Sequence, residues 1–241
     1  MRRLFFEPVI ADDLVEFGED FHHLVHVLRI SPGDHLEIVN NNADCFLVLI
    51  ESIDTIRHLI TARIESRKRL ISMITGISMA VSLVKRDFDE MVDSLCQLGV
   101  DHLYPLICER TVVRPDSEKA LKMVCRFRDI SREAAKQCRG TKAMEIHEIM
   151  PFKKVVALSS CGVLFSSGGE FASFKTFLNS GVSETENAFV FIGPEGDFSQ
   201  DEITVSLKRG LNTVRLSGNI LRTGNAAVVT AALLLSRRGF L

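Results

Sequence analysis

Beyond residue 70, short apolar runs typical of buried strands alternate with segments of helical period. The pairs are Met73–Val81 with Phe88–Leu98, His102–Cys108 with Lys119–Cys138, Val163–Ser166 with Phe171–Leu178, Ala188–Gly193 with Ser199–Arg209, and Thr213–Leu216 with Thr223–Ser236. Because parallel strands need long crossover connections, which are usually helices, this alternation predicts an α/β layer fold with a parallel sheet. On this pattern alone, an ordinary unknotted, doubly wound sheet is expected.

Residues 1 to about 70 have a different pattern, with turn signals between short apolar runs. Ser31–Asp34 is a turn signal before the alternating run His35–Ile38, and a polar break separates the runs Cys45–Ile50 and Leu59–Ile64. Several short strands with tight turns predict a small β-barrel, interrupted by one short helix around Phe21–Leu28. We therefore expect one domain over residues 1–70 and a second over residues 71–241.

The composition excludes several classes of protein. Hydrophobic residues make up 46% of the 241, but no run approaches the roughly 20 apolar residues of a membrane span, so no membrane partner is expected. The opening stretch MRRLFFEPVIADDL lacks the apolar core of a signal peptide. Six cysteines are scattered without a CxxC pair, which indicates the reduced thiols of a cytoplasmic protein. A net charge of −2 gives no overall positive field for nucleic acid.

Three histidines in the predicted short helix are the metal-ligand candidates of the sequence. His22, His23 and His26 have a spacing that could hold an ion, but no third type of ligand lies nearby. A partly exposed helix face is the better interpretation, and no metal is expected.

The stretch FIGPEGDFSQDEI, from Phe191 to Ile203, joins a hydrophobic run to a helix within a few residues. Ser199 followed by Glu202 matches a capping box, so the helix is expected to begin there. Gly193–Asp197 is then a tight connection in which glycine permits close approach of a ligand and proline stiffens the chain. A plain turn and a small-molecule pocket both explain this stretch taken alone, and it matches neither dinucleotide nor triphosphate motifs.

Two further loops follow late strands, Ser166–Glu170 and Ser217–Thr223. In open α/β sheets ligands bind beyond the carboxyl ends of the strands, so the three loops together are the expected place of a site. The last loop leads into a helix crowded with alanines, which indicates close packing against it.

The two stretches IGPEGDFSQDE and LSGNILRTGNAA, in this order, resemble the signature loops of the SPOUT class of AdoMet-dependent RNA methyltransferases. The chain most resembles the RsmE family, which methylates N3 of uracil in 16S rRNA. Further blocks that resemble the family, in family order, are RLFFEP, HHLVHVLRISPGDHLEIV, QLGVDHLYPLICERTVV and ISREAAKQC. The resemblance implies a SPOUT methyltransferase domain with a C-terminal trefoil knot, preceded by a small PUA-like β-barrel domain that binds RNA. It also implies AdoMet as cofactor, 16S rRNA within the small ribosomal subunit as partner, and a homodimer.

The resemblance also assigns a cofactor site. In this class AdoMet is held mostly by backbone amides and carbonyls, so the GPEG turn would present rigid backbone to the cofactor. The implied cofactor-binding residues are Leu164, Phe165, Ile192, Gly193, Pro194, Gly196, Leu216, Gly218, Ile220, Leu221 and Thr223.

Arg222 and Glu195 are the candidate catalytic residues. Uracil N3 carries a weakly acidic proton, and negative charge develops on the flanking carbonyl oxygens as that proton leaves. Arg222 would stabilise this charge, and a surface salt bridge at the helix start is its alternative role. Glu195 is the nearby carboxylate that would accept the proton, and capping of the turn is its alternative role.

Basic side chains are the candidates for RNA binding. They are Arg2, Arg3, Arg29, Arg128, Arg132, Lys136 and Arg139, to which the cluster Arg67–Arg69 could add. The last four of the seven are spaced to lie along one stripe of the predicted long helix, where they would contact phosphates. A solvated face paired with Asp129 and Glu133 is the alternative interpretation.

The chain departs from the usual family pattern at a few positions. An arginine has become Asn219 and a glutamate has become Gly224, while Ser94 and Gln97 replace another cation and anion. We interpret each loss as an ion pair removed whole, because a lone buried charge is costly. The usual GPEGG is GPEGD here, so Asp197 adds a carboxylate near the substrate side. Two alternatives to uracil-N3 methylation follow: an RNA-binding protein with altered catalysis, and a SPOUT ribose 2′-O-methyltransferase.

The last predicted helix carries the small residues Ala226, Ala227, Thr230 and Ala231. Small side chains permit close approach of a second helix, so an isologous homodimer contact is expected on this face. Packing of the same face within the chain is the alternative.

Overall fold

The computed structural model describes residues 2–6, 8–11, 13–40, 44–70, 75–138, 140–159, 161–168, 171–179, 188–216 and 219–240. The chain divides into two compact units, the first comprising Met1–Met73 with Ala135–Lys142 and the second Ile74–Ala134 with Ala143–Leu241. Within the described ranges, every helix is too short or too polar to cross a bilayer.

Six strands and one short π-helix, His23–Val27, are described in the first unit. The strands are Arg2–Phe5 (β1), Val9–Ala11 (β2), Leu14–Phe17 (β3), His35–Val39 (β4), Asp44–Asp54 (β5) and Leu59–Arg69 (β6). They form one sheet in the order β1-β4-β5-β6-β3-β2, in which β1 and β4 run parallel and the other neighbours antiparallel.

Alternate residues of this sheet point into one hydrophobic core. Leu36 and Ile38 of β4, and Ile60 and Ala62 of β6, are all at most 1% exposed. Because successive side chains of a strand point to opposite faces, this period of two places one face of the sheet on the core. Leu24 of the π-helix is fully buried in the same cluster.

Residues 135–142 belong to this first unit although they are distant in sequence. The Arg3 guanidinium donates to the backbone oxygen of Gly140 at 3.0 Å and pairs with Glu37 at 2.8 Å. The Lys136 ammonium contacts the carboxylate of Asp20. The first unit is therefore discontinuous along the chain.

The second unit alternates strands and helices. Its described strands are Ile77–Ser82 (β7), His102–Ile107 (β8), Glu145–Ile146 (β9), Met150–Pro151 (β10), Gly162–Phe165 (β11), Ala172–Ser173 (β12), Ala188–Ile192 (β13) and Asn212–Arg215 (β14). Its described helices are Phe88–Leu98 (α1), Ser117–Gln137 (α2), Phe152–Leu158 (α3), Phe174–Leu178 (α4), Gln200–Lys208 (α5) and Thr223–Arg237 (α6). The end of α2, from Ala135, is assigned to the first unit.

The strands of the second unit form one parallel sheet in the order β10-β8-β7-β13-β11-β14-β12, with β9 beside β8. All residues of β7, β11 and β13 are buried, as expected for parallel strands covered on both faces. A Cβ atom at Gly162 would lie 2.2 Å from the backbone oxygen of Phe189, so only glycine fits at this point of β11. The predicted parallel α/β sheet is confirmed.

Several predicted elements shift at their ends for local reasons. The first helix of this unit matches its predicted range, whereas β7 begins at Ile77 because Gly76 takes a positive φ of 64°, which ends extended backbone. The predicted start of that strand, Met73, lies outside the described residues. Helix α4 begins after Ser173, whose hydroxyl accepts the N–H of Thr176 at 3.2 Å.

The chain also forms β9, β10 and α3 between α2 and β11, where the sequence pattern predicts no element. Helix α3 buries Phe152, Val155 and Val156 at the helical spacing i, i+3, i+4. Seven residues hold less than two full turns, so the periodicity is too brief to separate a helix from a buried strand. The strands β1, β2 and β3 are likewise too short to be predicted one by one.

Candidate functional site

A cavity of about 230 Å³ lies beyond the carboxyl ends of the adjacent strands β13, β11 and β14. Its walls come from the loops that follow these three strands and from the first turn of α6. The lining residues are Phe165, Ser166, Ser167, Ile192, Gly193, Pro194, Glu195, Asp197, Arg215, Leu216, Asn219, Ile220, Leu221, Arg222, Thr223 and Ala226. The expected position of a ligand site in an open α/β sheet is therefore also the position of this cavity.

The turn after β13 is compact. The N–H of Asp197 donates to the backbone oxygen of Pro194 at 2.9 Å, and Asp197 itself takes a positive φ of 61°. A Cβ atom at Gly193 would lie 3.0 Å from the ring of Phe198, tighter than ordinary contact. Glycine at this position therefore lets the turn fold back onto the Phe198 ring.

Asp197 joins the turn after β13 to the loop after β11. Its Oδ2 accepts from the Ser166 hydroxyl at 2.9 Å, from the Ser167 N–H and hydroxyl at 2.8 Å each, and from the Gly168 N–H at 3.1 Å. Its Oδ1 accepts from the N–H of Phe198 at 2.7 Å. Burial alone would raise the pKa of this carboxyl, but the hydrogen bonds from Phe198, Ser167 and Ser166 together outweigh it and lower the pKa below the ordinary 3.8.

Other contacts brace the same turn. The Thr223 hydroxyl donates to the backbone oxygen of Gly193 at 2.9 Å, which ties the start of α6 to the end of β13. Arg110, which follows β8, donates to the backbone oxygen of Gly196 at 2.9 Å. The turn is thus held from three neighbouring segments.

The predicted capping box at the start of α5 is confirmed. The Ser199 hydroxyl accepts the N–H of Glu202, and the Glu202 carboxylate accepts the N–H of Ser199 at 2.9 Å. The second oxygen of the buried Glu202 accepts the N–H of Glu109 at 2.9 Å, so the cap also anchors the segment after β8.

The wall after β14 is more open. Ile220 is 81% exposed, and Asn219 is exposed as well. The Arg222 side chain is 84% exposed, and its Nη1 lies 3.8 Å from Oδ2 of Asp87, itself 61% exposed. Such an exposed, long contact contributes little to stability, so the Arg222 head is held only loosely at the cavity rim. Glu195 is exposed on the rim across from it.

The cavity brings together most of the cofactor-binding residues that the resemblance implies. Those on its wall are Phe165, Ile192, Gly193, Pro194, Leu216, Ile220, Leu221 and Thr223, and both catalytic candidates line it as well. Leu164 is fully buried in β11 and stands behind the wall, while Gly196 turns its carbonyl oxygen to Arg110. Gly218 lies outside the described residues.

Sequence reasoning assigned no binding role to several residues on the cavity wall. These are Ser166, Ser167, Asp197, Arg215, Asn219 and Ala226. Each lies within three positions of a predicted site residue, in one of the three loops, at the end of β14 or at the start of α6. The positions of the loops in the sequence therefore indicated where the binding site lies, but they could not show which side chains point into it.

Two RNA-binding candidates of the first unit are engaged within the protein. The side chains of Arg3 and Lys136 are 11% and 18% exposed and pair with Glu37 and Asp20. These two charges therefore stabilise the first unit and contribute less to RNA binding. Arg29 is exposed and takes a positive φ of 52° at the end of the π-helix segment.

The candidates on α2 also have protein contacts. Arg128 donates to the backbone oxygen of Ile146 at 3.1 Å, and Arg132 pairs at 2.9 Å with the aspartate three residues earlier. The alternative of a solvated, acid-paired face therefore describes Arg132. Arg139 and the side chain of Arg2 lie outside the described residues.

The small-residue face of α6 is not available to a second chain. Ala227, Thr230 and Ala231 are fully buried within the chain, and Ala226 is half-buried and lines the cavity. The expectation that this face forms a dimer contact is wrong, because intrachain packing already covers it. The exposed apolar residues of α6 are Val229 and Leu233, 40% and 41% exposed.

Of the positions that depart from the family pattern, Ser94 and Gln97 lie on α1, Gly224 lies in the first turn of α6, and Asn219 lies in the loop after β14. A Cβ atom at Gly224 would meet the backbone oxygen of Asp87 at 3.6 Å and the Cβ of Met91 at 3.7 Å, both ordinary contacts. On α1, Gln97 donates to the Asp93 carboxylate at 2.6 Å. That ion pairs once occupied these positions stays a hypothesis.

The fold and the cavity define the class of protein when they are set beside known families. Residues 72–235 match the model of the RNA methyltransferase domain, and residues 18–65 match that of the RNA methyltransferase PUA domain. Since the first match spans more than half of the chain, this protein belongs to the RNA methyltransferase domain family.

Within that class its relatives are of the RsmE type. The chain is 26% identical over 220 residues to ribosomal RNA small subunit methyltransferase E of Bacillus subtilis, covering 87% of this chain and 84% of the relative. It is 27% identical over 224 residues to ribosomal RNA small subunit methyltransferase E 2 of Borreliella burgdorferi, covering 91% and 89%. The structure of ribosomal RNA small subunit methyltransferase E from Neisseria gonorrhoeae bound to S-adenosyl methionine aligns with a TM-score of 0.83 at 20% identity, covering 98% of this chain and 97% of that chain.

The expected RsmE-type membership is confirmed, as is an RNA methyltransferase domain preceded by a PUA domain. The trefoil knot stays a prediction.

Proposed function

We propose that this protein is an AdoMet-dependent methyltransferase that methylates N3 of a specific uridine in 16S rRNA of the small ribosomal subunit, in the cytoplasm. The observation that carries the proposal is the cavity formed by the three loops beyond β11, β13 and β14. The relatives named ribosomal RNA small subunit methyltransferase E support the substrate, and the Neisseria gonorrhoeae structure bound to S-adenosyl methionine supports the cofactor.

The residues of the cavity fit this cofactor. Ile192, Leu216 and Leu221 offer apolar surface for a nucleoside, while Ser166 and Ser167 place hydroxyls beside it. AdoMet supplies an electrophilic methyl group on a sulfonium, so the task of the protein is chiefly to hold donor and acceptor in line. The volume of about 230 Å³ is just below the ~300–1,000 Å³ usual for ligand sites, so part of the cofactor is expected to extend toward the open wall.

Arg222 is proposed to stabilise the negative charge that develops on the uracil carbonyl oxygens. The guanidinium is exposed at the rim and held only by the long contact to Asp87, so it can turn to a bound base at little cost. A cation that engages the base only as this charge develops acts mainly on the transition state.

Two carboxylates lie near the expected position of the base, and they differ in suitability as proton acceptor. Asp197 accepts five hydrogen bonds, and those from Phe198, Ser167 and Ser166 lower its pKa, so it binds a proton poorly and serves to fix the loops. Glu195 is exposed at the rim. We therefore assign proton removal to Glu195, directly or through water.

RNA is proposed to reach the site through contacts from both units. Arg29 is exposed in the first unit, and the Arg132 side chain is 55% exposed in the second. An ion pair as exposed as that of Arg132 contributes little, so its exchange for a phosphate costs little. The PUA-like domain of the family supports an RNA-binding role for the first domain.

We further propose a homodimer whose contact lies on the outer face of α6, around Val229 and Leu233. Two half-exposed apolar side chains one turn apart form a stripe suited to a second copy of the same helix. Leu233→Glu should convert a dimer to a monomer in light scattering at micromolar concentration. A wild-type protein that is monomeric at that concentration would refute the dimer.

The function is tested by nucleoside mass spectrometry of 16S rRNA from small subunits incubated with the protein and AdoMet. Formation of 3-methyluridine supports the proposal, and formation of a 2′-O-methylated nucleoside replaces it with the ribose alternative. Titration calorimetry should show one AdoMet per chain. AdoMet binding without any new modification would favour an RNA-binding protein with altered catalysis.

A further inference from the structure

A second cluster of ligand-type side chains lies at the other edge of the parallel sheet. His102 begins β8, and its register partner on β9 is Glu145, with His147 two residues further on. The cavity lies beyond the carboxyl ends of the strands, whereas His102 stands at an amino end of the same parallel sheet. The cluster is therefore separate from the proposed methyl-transfer site.

The three side chains converge on one point. Nδ1 of His102 lies 3.2 Å from Nε2 of His147 and 3.3 Å from Oε2 of Glu145. Nε2 of His147 lies 3.8 Å from Oε1 of Glu145. Ligand atoms at about 2.05 Å from a tetrahedral zinc ion are separated by about 3.3 Å. The two contacts of Glu145 use different oxygens, but one ligand atom from each of the three side chains lies within 4.8 Å of the other two. Small side-chain rotations would therefore bring the three atoms to three corners of one coordination tetrahedron.

The protein holds the two imidazoles in place before any ion arrives. The ring of Tyr104 stacks on that of His147 at 3.9 Å between centroids and 5° between planes. The backbone N–H of His147 donates to the oxygen of Leu103 at 3.0 Å, as the β9 pairing continues. The His102 and His147 side chains are 35% and 24% exposed, so an ion would find ordered ligands and still be open to water.

The charges around the cluster favour the binding of a cation with moderate affinity. The carboxylate of Glu145 supplies a negative charge beside the two imidazoles. Arg128 lies close by, with its guanidinium on the backbone oxygen of Ile146, and its charge opposes a cation.

We propose that His102, Glu145 and His147 form a binding site for a divalent transition-metal ion. Two imidazoles and one carboxylate are the ligand types that Zn²⁺ takes, with water completing the tetrahedron. Such an ion would clamp the β9 segment to its neighbour β8. The proposal departs from the expectation of no metal, which weighed only the histidines of the first unit, and it does not depend on the proposed function.

The competing explanation is a hydrogen-bonded trio without metal, since an imidazole pair and an imidazole–carboxylate pair have similar spacings. Metal affinity separates the two. With three protein ligands and a nearby guanidinium, we expect a dissociation constant on the order of 1–10 µM, weaker than that of four-ligand structural sites.

The test is a Zn²⁺ titration of the full chain in which the exposed thiols are removed by Cys125→Ser and Cys138→Ser. In this background His147→Ala and His102→Ala should each weaken binding at least ten-fold. His35→Ala is the matched control, because His35 is a half-exposed histidine with one carboxylate partner, Glu65. Equal Zn²⁺ affinity in all variants would overturn the proposal. So would the absence of binding at a Zn²⁺ concentration 100-fold above the expected dissociation constant.

Two further readouts guard against a variant that merely folds poorly. Co²⁺ bound at this site should show the visible absorption of tetrahedral cobalt without thiolate charge-transfer bands. If Co²⁺ gives a spectrum only in the wild-type chain, and that spectrum has thiolate bands, the ion binds at cysteines and not at this site. Zn²⁺ at 100 times its dissociation constant should shift the unfolding equilibrium about 100-fold and raise the melting temperature. Glu145→Gln, which keeps size and hydrogen bonding, should lose most of that rise. An undiminished rise would exclude Glu145 as a ligand and overturn the site.

Discussion

The two loops that face each other across the cavity are built in opposite ways. The turn Gly193–Asp197 is fixed by hydrogen bonds that Thr223 and Arg110 donate to its backbone, and by the five hydrogen bonds that the Asp197 carboxylate accepts. The wall after β14 exposes Ile220 and Arg222 to solvent, with one long ion pair. One wall is preorganised, and the other can still adapt.

This difference suits a reaction that uses a small cofactor and a large substrate. A rigid backbone wall lowers the entropy cost of binding a flexible cofactor. An adaptable rim lets charged groups engage only when the substrate arrives, which directs their interaction energy to the reaction step. Substitutions on the two walls should therefore differ in which kinetic quantity they change.

The largest effect is expected on the open wall, from Arg222→Ala. Loss of one donor to a developing anion typically lowers the rate by about 10²–10³-fold. AdoMet affinity should change little, because the Arg222 side chain is 84% exposed at the cavity rim and its ion pair is the long contact with Asp87. Single-turnover methylation at saturating RNA measures this.

Arg57→Ala is the matched control, since Arg57 is 80% exposed and has a similar 3.8 Å contact with Asp54. Near-normal turnover of Arg222→Ala would show that Arg222 is not catalytic. If Arg222→Ala has normal turnover but its RNA binding depends less steeply on salt, Arg222 contacts an RNA phosphate.

On the braced wall the corresponding change is Asp197→Asn. The amide keeps the shape of the side chain and its tolerance of positive φ, but it presents an NH₂ group to donors that need an acceptor. We expect AdoMet to bind about 10-fold more weakly, about 1.4 kcal/mol, while turnover of the bound complex changes less. Asp201→Asn, an exposed aspartate in the first turn of α5, is the control. Unchanged affinity would mean that the brace does not shape the cofactor site.

The same carboxylate predicts a pH dependence of stability. Because the folded pKa of Asp197 is lowered, its contribution is fully present above the ordinary value of 3.8 and is lost as the pH falls below it. Urea unfolding should show wild type more stable than Asp197→Asn at pH 6, with the gap narrowing near pH 3. A gap that is the same at both pH values would argue against an ionised Asp197.

The smallest effect is expected from Ile220→Ala. Since Ile220 is 81% exposed, the change should leave the free energy of unfolding within about 0.5 kcal/mol. If the open wall closes over the cofactor, the lost apolar contact should weaken AdoMet binding about three-fold. Ile56→Ala, at a residue 92% exposed in the first unit, controls for general surface effects. Equal AdoMet affinity in both variants would mean that this wall stays open.

The regular part of this architecture could be predicted from the sequence. Buried strands such as Ala188–Ile192 are continuous apolar runs, and the box Ser199–Glu202 marks a helix start with two side chains. The loops at the carboxyl ends of the strands are then placed by topology. The resemblance added the cofactor and the expected residues, which periodicity alone could not supply.

What could not be predicted depends on contacts between distant segments. The role of Asp197 needs Ser166 and Ser167, some thirty positions earlier, to lie at 2.8–2.9 Å. The small face of α6 has the same composition whether it packs inside the chain or on a partner. The pairing of Arg3 and Lys136 likewise follows from tertiary neighbours that carry no local signal.

The discontinuity of the first unit bears on how such a protein could be assembled or dismantled in evolution. A single break in the gene after residue 73 would leave behind the segment Ala135–Lys142, and with it the partners of Arg3 and Asp20. The β-rich module therefore cannot be exchanged as one cassette. A transferred copy must bring the end of α2 with it or replace those contacts, so the two halves are expected to be inherited together.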